Sequence, residues 1–525
     1  MLRSTISLTF VTILVLFLSK ESQAANILLY NGRGDGSHYF SAAAIAEELA
    51  THGHSVTYLL AENYMHRAEH PVHSKLFNFI QCNYSEHELF DAYLQNFSKI
   101  AFEGRKIIFD TEMLQKGVDL EVRYCENVFH PSMLKKLRGK NFDMVVFDPS
   151  SPCSVGLSEY LQAKKVVFNP TALWPNLLRA VGNPPNPATV GQTGFAFPMR
   201  MNFFQRVQNL LLTWFVEGMT VLFVEAPYSD IFTPLNIKPY LSILGDVDLT
   251  IISADHVIDK TFATMPGVVV AAGLTAVPPN DLSQDLEQFM QSSGEHGVIL
   301  FSLGSYITHL PPEFVSLFQE AFAKLPQKVI WQWKGKAPPT NMPKNVKTMS
   351  WLPQNDLLGH NKTRLLIYQG GNNGLYEAIY HAVPLLVMPL LIDQQDTAEQ
   401  VAEKEIGRKI IAKDLTKEDV LETILDILTD QKYQNNVDHM SSIFRDRPLP
   451  PRKRAAFWID HVLKYGGDHL RSPNHDFNFI QLNLIDVFAF LSLCLLVLLA
   501  SVYYVIKVIV GIIRTIIFSK KAKQE

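Results

Sequence analysis

The sequence predicts an α/β protein built of two strand-and-helix units and closed by one membrane-spanning helix. Three observations carry this. Short β-rich runs alternate with helix-period segments from residue 26 and again from residue 297; a polar stretch around Asn280 to Gly294 separates the two series; and Val487 to Ile506 is an uncharged apolar run of about the length a helix needs to cross a bilayer. At 525 residues the chain can bury more than one core, and its 47% hydrophobic share is ordinary for globular protein. Its 47 Lys and Arg nearly balance 51 Asp and Glu, so neither a nucleic-acid footprint nor a polyacidic tail is present, and no nucleic-acid partner is expected.

In chain order, Arg3 precedes the apolar run Ile6 to Leu18, and Ser22, Gln23 and Ala24 resemble a cleavage site, so residues 1–24 read as a removed signal peptide. A retained anchor is the other reading, but the run is short for a span of roughly 20 residues. NILLY (26–30) reads as a strand, the loop with Gly32, Gly34 and Gly36 follows, SAAAIAEELATHGH as a helix and HSVTYLL as the next strand. DMVVFD (143–148) and KVVFN (165–169) continue the pattern, giving a first domain over residues 25–285. The Pro- and Gly-rich piece GNPPNPATVGQTGFAFP interrupts it. The segment after it, NFFQRVQNLLLTWFVEGMTVLF, is an apolar helix for which core packing is expected; lining an apolar entrance or lying on a bilayer are the alternatives.

The second domain, residues 286–450, begins with GVILFSLGS (297–305) and runs through KVIWQW, LLIY and PLLVM to RPLPPRKR. Residues 451–486 read as return helices, 487–506 as the transmembrane helix and 507–525 as a basic tail with Lys507, Arg514, Lys520, Lys521 and Lys523. The positive flank puts that tail in the cytosol and the body in the lumen. Lys521 and Lys523 resemble a dilysine retrieval signal of the endoplasmic reticulum; a basic stop-transfer tail would look the same. Asn83 with Ser85, Asn96 with Ser98 and Asn361 with Thr363 are glycosylation sequons, the third expected beside the ligand site. Of four cysteines Cys494 lies in the span, leaving Cys82, Cys125 and Cys153 for one disulfide whose pairing is open; no metal-binding cysteine spacing occurs.

The chemistry concentrates between Trp351 and Gln394. A strand that breaks at Gly370 and Gly371 and restarts as a helix exposes unpaired N–H groups and a positive dipole end, which suits a phosphate. The ligand expected is therefore a nucleotide. Trp351 can stack on a base, Gln354 can pair with it, Glu377 can accept from ribose hydroxyls, and Asp393 with Gln394 follow the next strand, PLLVMP. Polar positions at the C-terminal ends of successive strands describe a cleft at the edge of a parallel sheet. In the first unit, NGRGDGSHYF places His38 just after a strand. Neither glycine register completes a dinucleotide fingerprint, because Ser37 and Tyr39 stand where the last glycine is needed. Asp148 ends DMVVFD on the same predicted edge, where it can hold the imidazole in one tautomer; a turn or cap aspartate is the plainer alternative.

The order and spacing of WLPQNDLLGH, GGNNGLYEAIYHAVPLLVMPLLIDQ, D-G-S-H and D-P-x-x-P-C resemble the UDP-glucuronosyltransferase family, and the resemblance covers the chain from Asn26 through the tail. It implies a GT-B architecture of two Rossmann-like domains facing a cleft. It implies inverting transfer of a sugar from a UDP-sugar to a hydroxyl of a small lipophilic acceptor, with His38 as base and Asp148 orienting it. Ser305 and the helix opening at Gly370, Gly371, Asn373 and Gly374 would hold the diphosphate, and Asn373, Asp393 and Gln394 the phosphate and sugar hydroxyls. No D-x-D carboxylate pair appears where a divalent cation would bridge the phosphates, so no metal and no cofactor beyond the UDP-sugar co-substrate is expected. Association into homo- or hetero-oligomers is implied by the resemblance alone. Two departures stand out. Relatives carry histidine before the paired glycines, where this chain has Gln369, which predicts slower turnover; and no arginine occurs over Thr250 to Ser253, which moves the expected donor from UDP-glucuronate towards UDP-glucose. A ceramide-like acceptor and a non-catalytic partner subunit are the alternative readings.

Overall fold

A computed structural model of the protein describes residues 24–33, 36–84, 86–105, 110–335 and 337–521. Residues 1–23 of the expected signal peptide, Ser85 of the first sequon and Lys523 lie outside the described residues. The chain forms two units, one reaching to Arg471 and one from Ser472 onward.

The first unit holds two parallel sheets. The strands β1 (Asn26–Tyr30), β2 (Ser55–Ala61), β3 (Phe77–Cys82), β4 (Met144–Phe147), β5 (Lys164–Asn169), β6 (Leu249–Ile252) and β7 (Val268–Val270) pair in the order β3-β2-β1-β4-β5-β6-β7. The strands β8 (Val298–Ser302), β9 (Lys328–Gln332), β10 (Val346–Met349), β11 (Thr363–Tyr368), β12 (Leu385–Val387) and β13 (Gly407–Lys409) pair in the order β10-β9-β8-β11-β12-β13. Helices cover both faces of each sheet, which is why central strands such as MVVF and VILFS are buried along their whole length instead of alternating. Strand order reverses between β1 and β4 in one sheet and between β8 and β11 in the other. Open α/β sheets take ligands at such reversals, beyond the C-terminal strand ends.

Helix α1 (Gly36–Thr51) follows β1, α2 (Pro152–Leu161) follows the turn after β4, and α3 (Phe203–Thr220) follows the Pro- and Gly-rich piece. A disulfide, Cys125–Cys153, ties the helix Thr111–Val128 to the first turn of α2, and Cys82 is buried and free. Helix α4 (Asn372–Tyr380) follows β11, and α5 (Gln394–Glu403) follows β12. Helix α6 (Pro451–Tyr465) returns to the first sheet, where Ala455, Ala456, Ile459 and Val462 join the buried cluster of β1 and α1.

Two expectations are corrected. The apolar helix α3 is not a core helix: Phe203, Phe204, Leu211 and Trp214 are exposed, Phe204 to 78%. The helical stretch Phe203–Leu235 is long and apolar enough to cross a membrane. One side is nonetheless pinned to the body, because Asn209 donates to the Pro187 and Val190 carbonyls and Asn176 donates to that of Thr213. The binary pattern contained no second polar face to reveal which side stays open. The sequon at Asn361 precedes β11, so it sits at the N-terminal end of the strand, away from the C-terminal edge that carries the cleft. Strands run about 3.3 Å per residue, so these ends lie far apart.

In the second unit α7 (Ile485–Lys521) continues past the sequence-predicted span, and its apolar stretch reaches Ile517. At 1.5 Å per residue such a helix exceeds the roughly 30 Å hydrocarbon core, so it can cross with tilt.

Candidate active site

The two strand reversals face one cavity of about 490 Å³. On the side of the first sheet, α1 begins at Gly36, which adopts φ +54° and whose backbone lies directly against the Ser305 hydroxyl of the loop after β8. His38, in the first turn of α1, therefore looks into the cavity. Its Nδ1 lies 2.5 Å from Asp148 Oδ2. Asp148 is 1% exposed, and its other oxygen accepts from the Ser150 amide at 2.8 Å and the Ser150 hydroxyl at 2.6 Å. A carboxylate so held fixes the proton on Nδ1 and leaves Nε2 as the basic nitrogen. Asp148 itself does not line the cavity; it acts on the ring from behind.

The second sheet supplies the facing wall. Gly370 adopts φ +100°, with Val387 3.0 Å and Gln394 3.1 Å from where a Cβ would sit, so only glycine fits this turn. Gly371 caps α4 and leaves the first amides of Asn372, Asn373 and Gly374 open to the cavity. The Gln369 amide lies 2.7 Å from a Cβ position at Gly371 and also abuts Gly304, so it bridges the β8 and β11 loops. Ser305 is exposed on the β8 loop and lines the same space.

Glu377 is 7% exposed and accepts from Thr275 Oγ1 at 2.6 Å and Gln354 Nε2 at 2.7 Å. Burial outweighs those two bonds and pushes its carboxyl up to about 7. Trp351 is exposed and its ring sits 5.4 Å from that of Phe40 on α1, so an aromatic shelf spans the two halves. Asp393 starts α5, its carboxyl raised by burial with the nearby His38 working against the rise. Gln394 turns its carbonyl oxygen away to accept from the Leu390 and Leu391 amides, leaving its NH₂ group for another partner.

Asn373 lines the cavity and also joins the two halves. Its side chain accepts from Ser41 Oγ at 2.8 Å and donates to the Ser37 carbonyl, and Asn372 beside it donates to the Pro170 and Ser253 carbonyls. The start of α4 is thus stitched to the first sheet. Sequence reasoning missed Thr275 and Phe40, which no motif marks, and the Arg452–Glu47 pair at the cavity rim, formed across α6 and α1 at 2.7 Å. Among the described residues no group of three His, Cys, Asp or Glu is arranged to hold a metal ion.

Comparisons with known proteins agree with this architecture. The family model described as UDP-glucoronosyl and UDP-glucosyl transferase matches residues 27–524. UDP-glucuronosyltransferase 2B13 of Oryctolagus cuniculus is 30% identical over 93% of this chain and 93% of its own length. UDP-glucuronosyltransferase 2A3 of Homo sapiens is 32% identical over 88% of this chain and 89% of its own. Among solved structures, the glycotransferase of kitacinnamycin superposes with a TM-score of 0.56 at 16% identity, covering 84% of this chain and all of its own. SnogD from Streptomyces nogalater gives 0.53 at 16% identity, covering 84% of this chain and 100% of its own. At those identities the structural likeness speaks for the GT-B fold, and the sequence matches speak for the lineage. With a family model spanning nearly its whole length, this chain belongs to the UDP-glucuronosyl and UDP-glucosyl transferase family.

Proposed function

We propose that this UDP-sugar-dependent transferase moves a neutral hexose, UDP-glucose being the favoured donor, to a hydroxyl of a small lipophilic acceptor. In this reading residues 25–285 take the acceptor and residues 286–450 the UDP-sugar. The observation that carries it is the His38–Asp148 pair, set across one cavity from the open amides of α4. Nε2 of His38 removes the acceptor proton as the hydroxyl oxygen attacks the anomeric carbon. The bond from that carbon to the diphosphate oxygen breaks, UDP leaves, and configuration inverts. Asp148 stabilises the imidazolium that forms.

The diphosphate lies at the N-terminus of α4, with Ser305 and Gln369 donating neutral hydrogen bonds. The uracil stacks on Trp351 and meets Gln354, the ribose hydroxyls donate to Glu377, and Asp393 with the free NH₂ of Gln394 meets the sugar hydroxyls. A neutral hexose is supported by the charge around the cavity. Thr250 to Ser253 carry no arginine, and the rim residue Arg452 is held by Glu47 and the Leu274 carbonyl. Family membership and the single C-terminal apolar helix support a type I protein of the endoplasmic reticulum membrane with its body in the lumen. The exposed apolar side of α3 fits acceptors that arrive from a bilayer.

The test supplies UDP-glucose, UDP-glucuronate and UDP-galactose separately to microsomes holding the full chain, with phenols, steroids and ceramide as acceptors and EDTA present. Transfer from UDP-glucose to phenols or steroids is expected. Transfer from UDP-glucuronate alone would overturn the donor assignment, and transfer to ceramide alone the acceptor assignment. UDP binding without any transfer would point to a partner subunit.

A further inference from the structure

We propose that Lys334 binds the diphosphate of the UDP-sugar from the β9 side of the cavity and supplies there the positive charge that Gln369 does not. The inference rests on the reading that the diphosphate lies between Ser305 and the start of α4.

Lys334 stands two residues beyond the end of β9, and its ammonium donates to the carbonyl of Gly304, the residue before Ser305. Gly304 adopts φ +74°, and a Cβ there would run into the Gln369 amide. Ammonium, Gly304–Ser305 backbone and Gln369 therefore form one continuous edge that ends at Gly371, the cap of α4. A second pocket, lined by Leu303, Gly304, Gln332 and Lys334 among others, shares the first three of these with the main cavity, so Lys334 stands in the pocket adjoining the one that takes the diphosphate in this reading.

No carboxylate pairs with Lys334 among the described residues; a backbone carbonyl is the partner the structure gives it. The residue is exposed at its pocket, and partial desolvation of the ammonium lowers its pKa to about 8. An uncompensated cation in such a place is unfavourable until an anion arrives, when its attraction to that anion offsets the desolvation. The other basic groups at the main cavity have partners of their own: His38 has Asp148, Arg452 and His73 share Glu47, and His70 accepts from the His73 amide. Lysine suits the task, because a point charge needs no bidentate geometry.

Among the described residues, His309 on the facing loop is the other acid or base lining this second pocket, and across the shared edge the main cavity is lined by His38, Glu47, His70, His73, Asp356, Glu377, Asp393 and Arg452. The titration that matters is that of Lys334 itself, whose pKa desolvation lowers to about 8. Affinity owed to Lys334 is therefore present below pH 8 and is lost as the pH rises beyond it.

The experiment compares affinities for UDP and for uridine, measured by thermal shift on the purified full-length protein in detergent from pH 6.5 to 9.5, for the wild type, Lys334→Met and Lys334→Arg. Lys334→Met is expected to weaken UDP about tenfold and leave uridine unchanged, tenfold being equivalent to about 1.4 kcal/mol. The wild-type preference for UDP over uridine should decline above pH 8, and that of Lys334→Arg should not. A preference unchanged in Lys334→Met overturns the proposal. If that variant does not fold, the wild-type profile decides: absence of the alkaline decline overturns the proposal. Glu377→Ala separates this from the underlying reading, because it should weaken UDP and uridine alike; if it weakens neither, the nucleotide assignment itself fails.

Discussion

Replacing Glu377 with glutamine should make the ligand-free protein more stable near neutral pH while weakening its hold on UDP. The carboxyl titrates at about 7 in the folded protein against an ordinary value of 4.5. Between those values the folded state keeps a proton that the unfolded chain has released, so stability falls as pH rises through that window. At 1.36 kcal/mol per pKa unit the penalty reaches about 3 kcal/mol above pH 7. Glutamine removes it but weakens the bonds from Thr275 and Gln354, each worth about 1 kcal/mol, leaving a net gain of about 1 to 2 kcal/mol. Ribose hydroxyls prefer the ionised form as acceptor, and that form grows from about a tenth to about nine tenths of the population between pH 6 and 8. Wild-type affinity for UDP should therefore rise about tenfold over this interval. The assay is thermal unfolding of the full chain with and without UDP from pH 5 to 8.5. Parallel stability curves for wild type and Glu377→Gln, or a UDP affinity that does not rise between pH 6 and 8, would refute the reasoning.

His38→Ala should lower transfer by about 10²- to 10⁴-fold and leave UDP affinity intact, and Asp148→Asn should lower it comparably by releasing the ring tautomer; single-turnover product formation beside UDP titration checks both. Cys125→Ser opens a bridge spanning 28 residues and should remove up to about 3 to 4 kcal/mol, read as a lowered unfolding temperature, with the Asp148 turn loosened and kcat reduced. Asp396, raised to about 7 by burial, accepts from the Gly194 and Ala196 amides at 2.6 and 2.9 Å. Asp396→Ala should cost about 1 to 3 kcal/mol and speed proteolysis between residues 192 and 199, which mass spectrometry of the fragments would locate.

Much of the fold was legible because a strand buried on both faces shows as an unbroken apolar run. NILLY, DMVVFD, LLIY and PLLVM became strands within a residue or two of their expected bounds, and GVILFSLGS did so up to Ser302, where its strand ends. The edge strands VKTM and GRK and the three-residue β7 were not legible, because a run that short has no period and its pairing partner, not its composition, makes it a strand. The apolar helix α3 was misjudged for a related reason. Hydrophobicity states that a surface avoids water, not what covers it.

The motif around the cavity was readable for the same reason that it functions. A glycine pair before a helix, a carboxylate after a strand and a histidine after a turn each have their chemistry set by local backbone geometry. By sequence alone, this chain determined its two α/β halves, its anchor helix and the motif-borne residues that face the cleft. Only the tertiary structure decided which of them meet. It put Asp148 behind His38 across 110 residues, turned Asn373 to stitch the halves together, raised Glu377 by burying it, and brought Lys334 to Gly304. Contact and burial between distant segments set pKa and hydrogen-bond partners, and neither quantity is a property of any local stretch of chain.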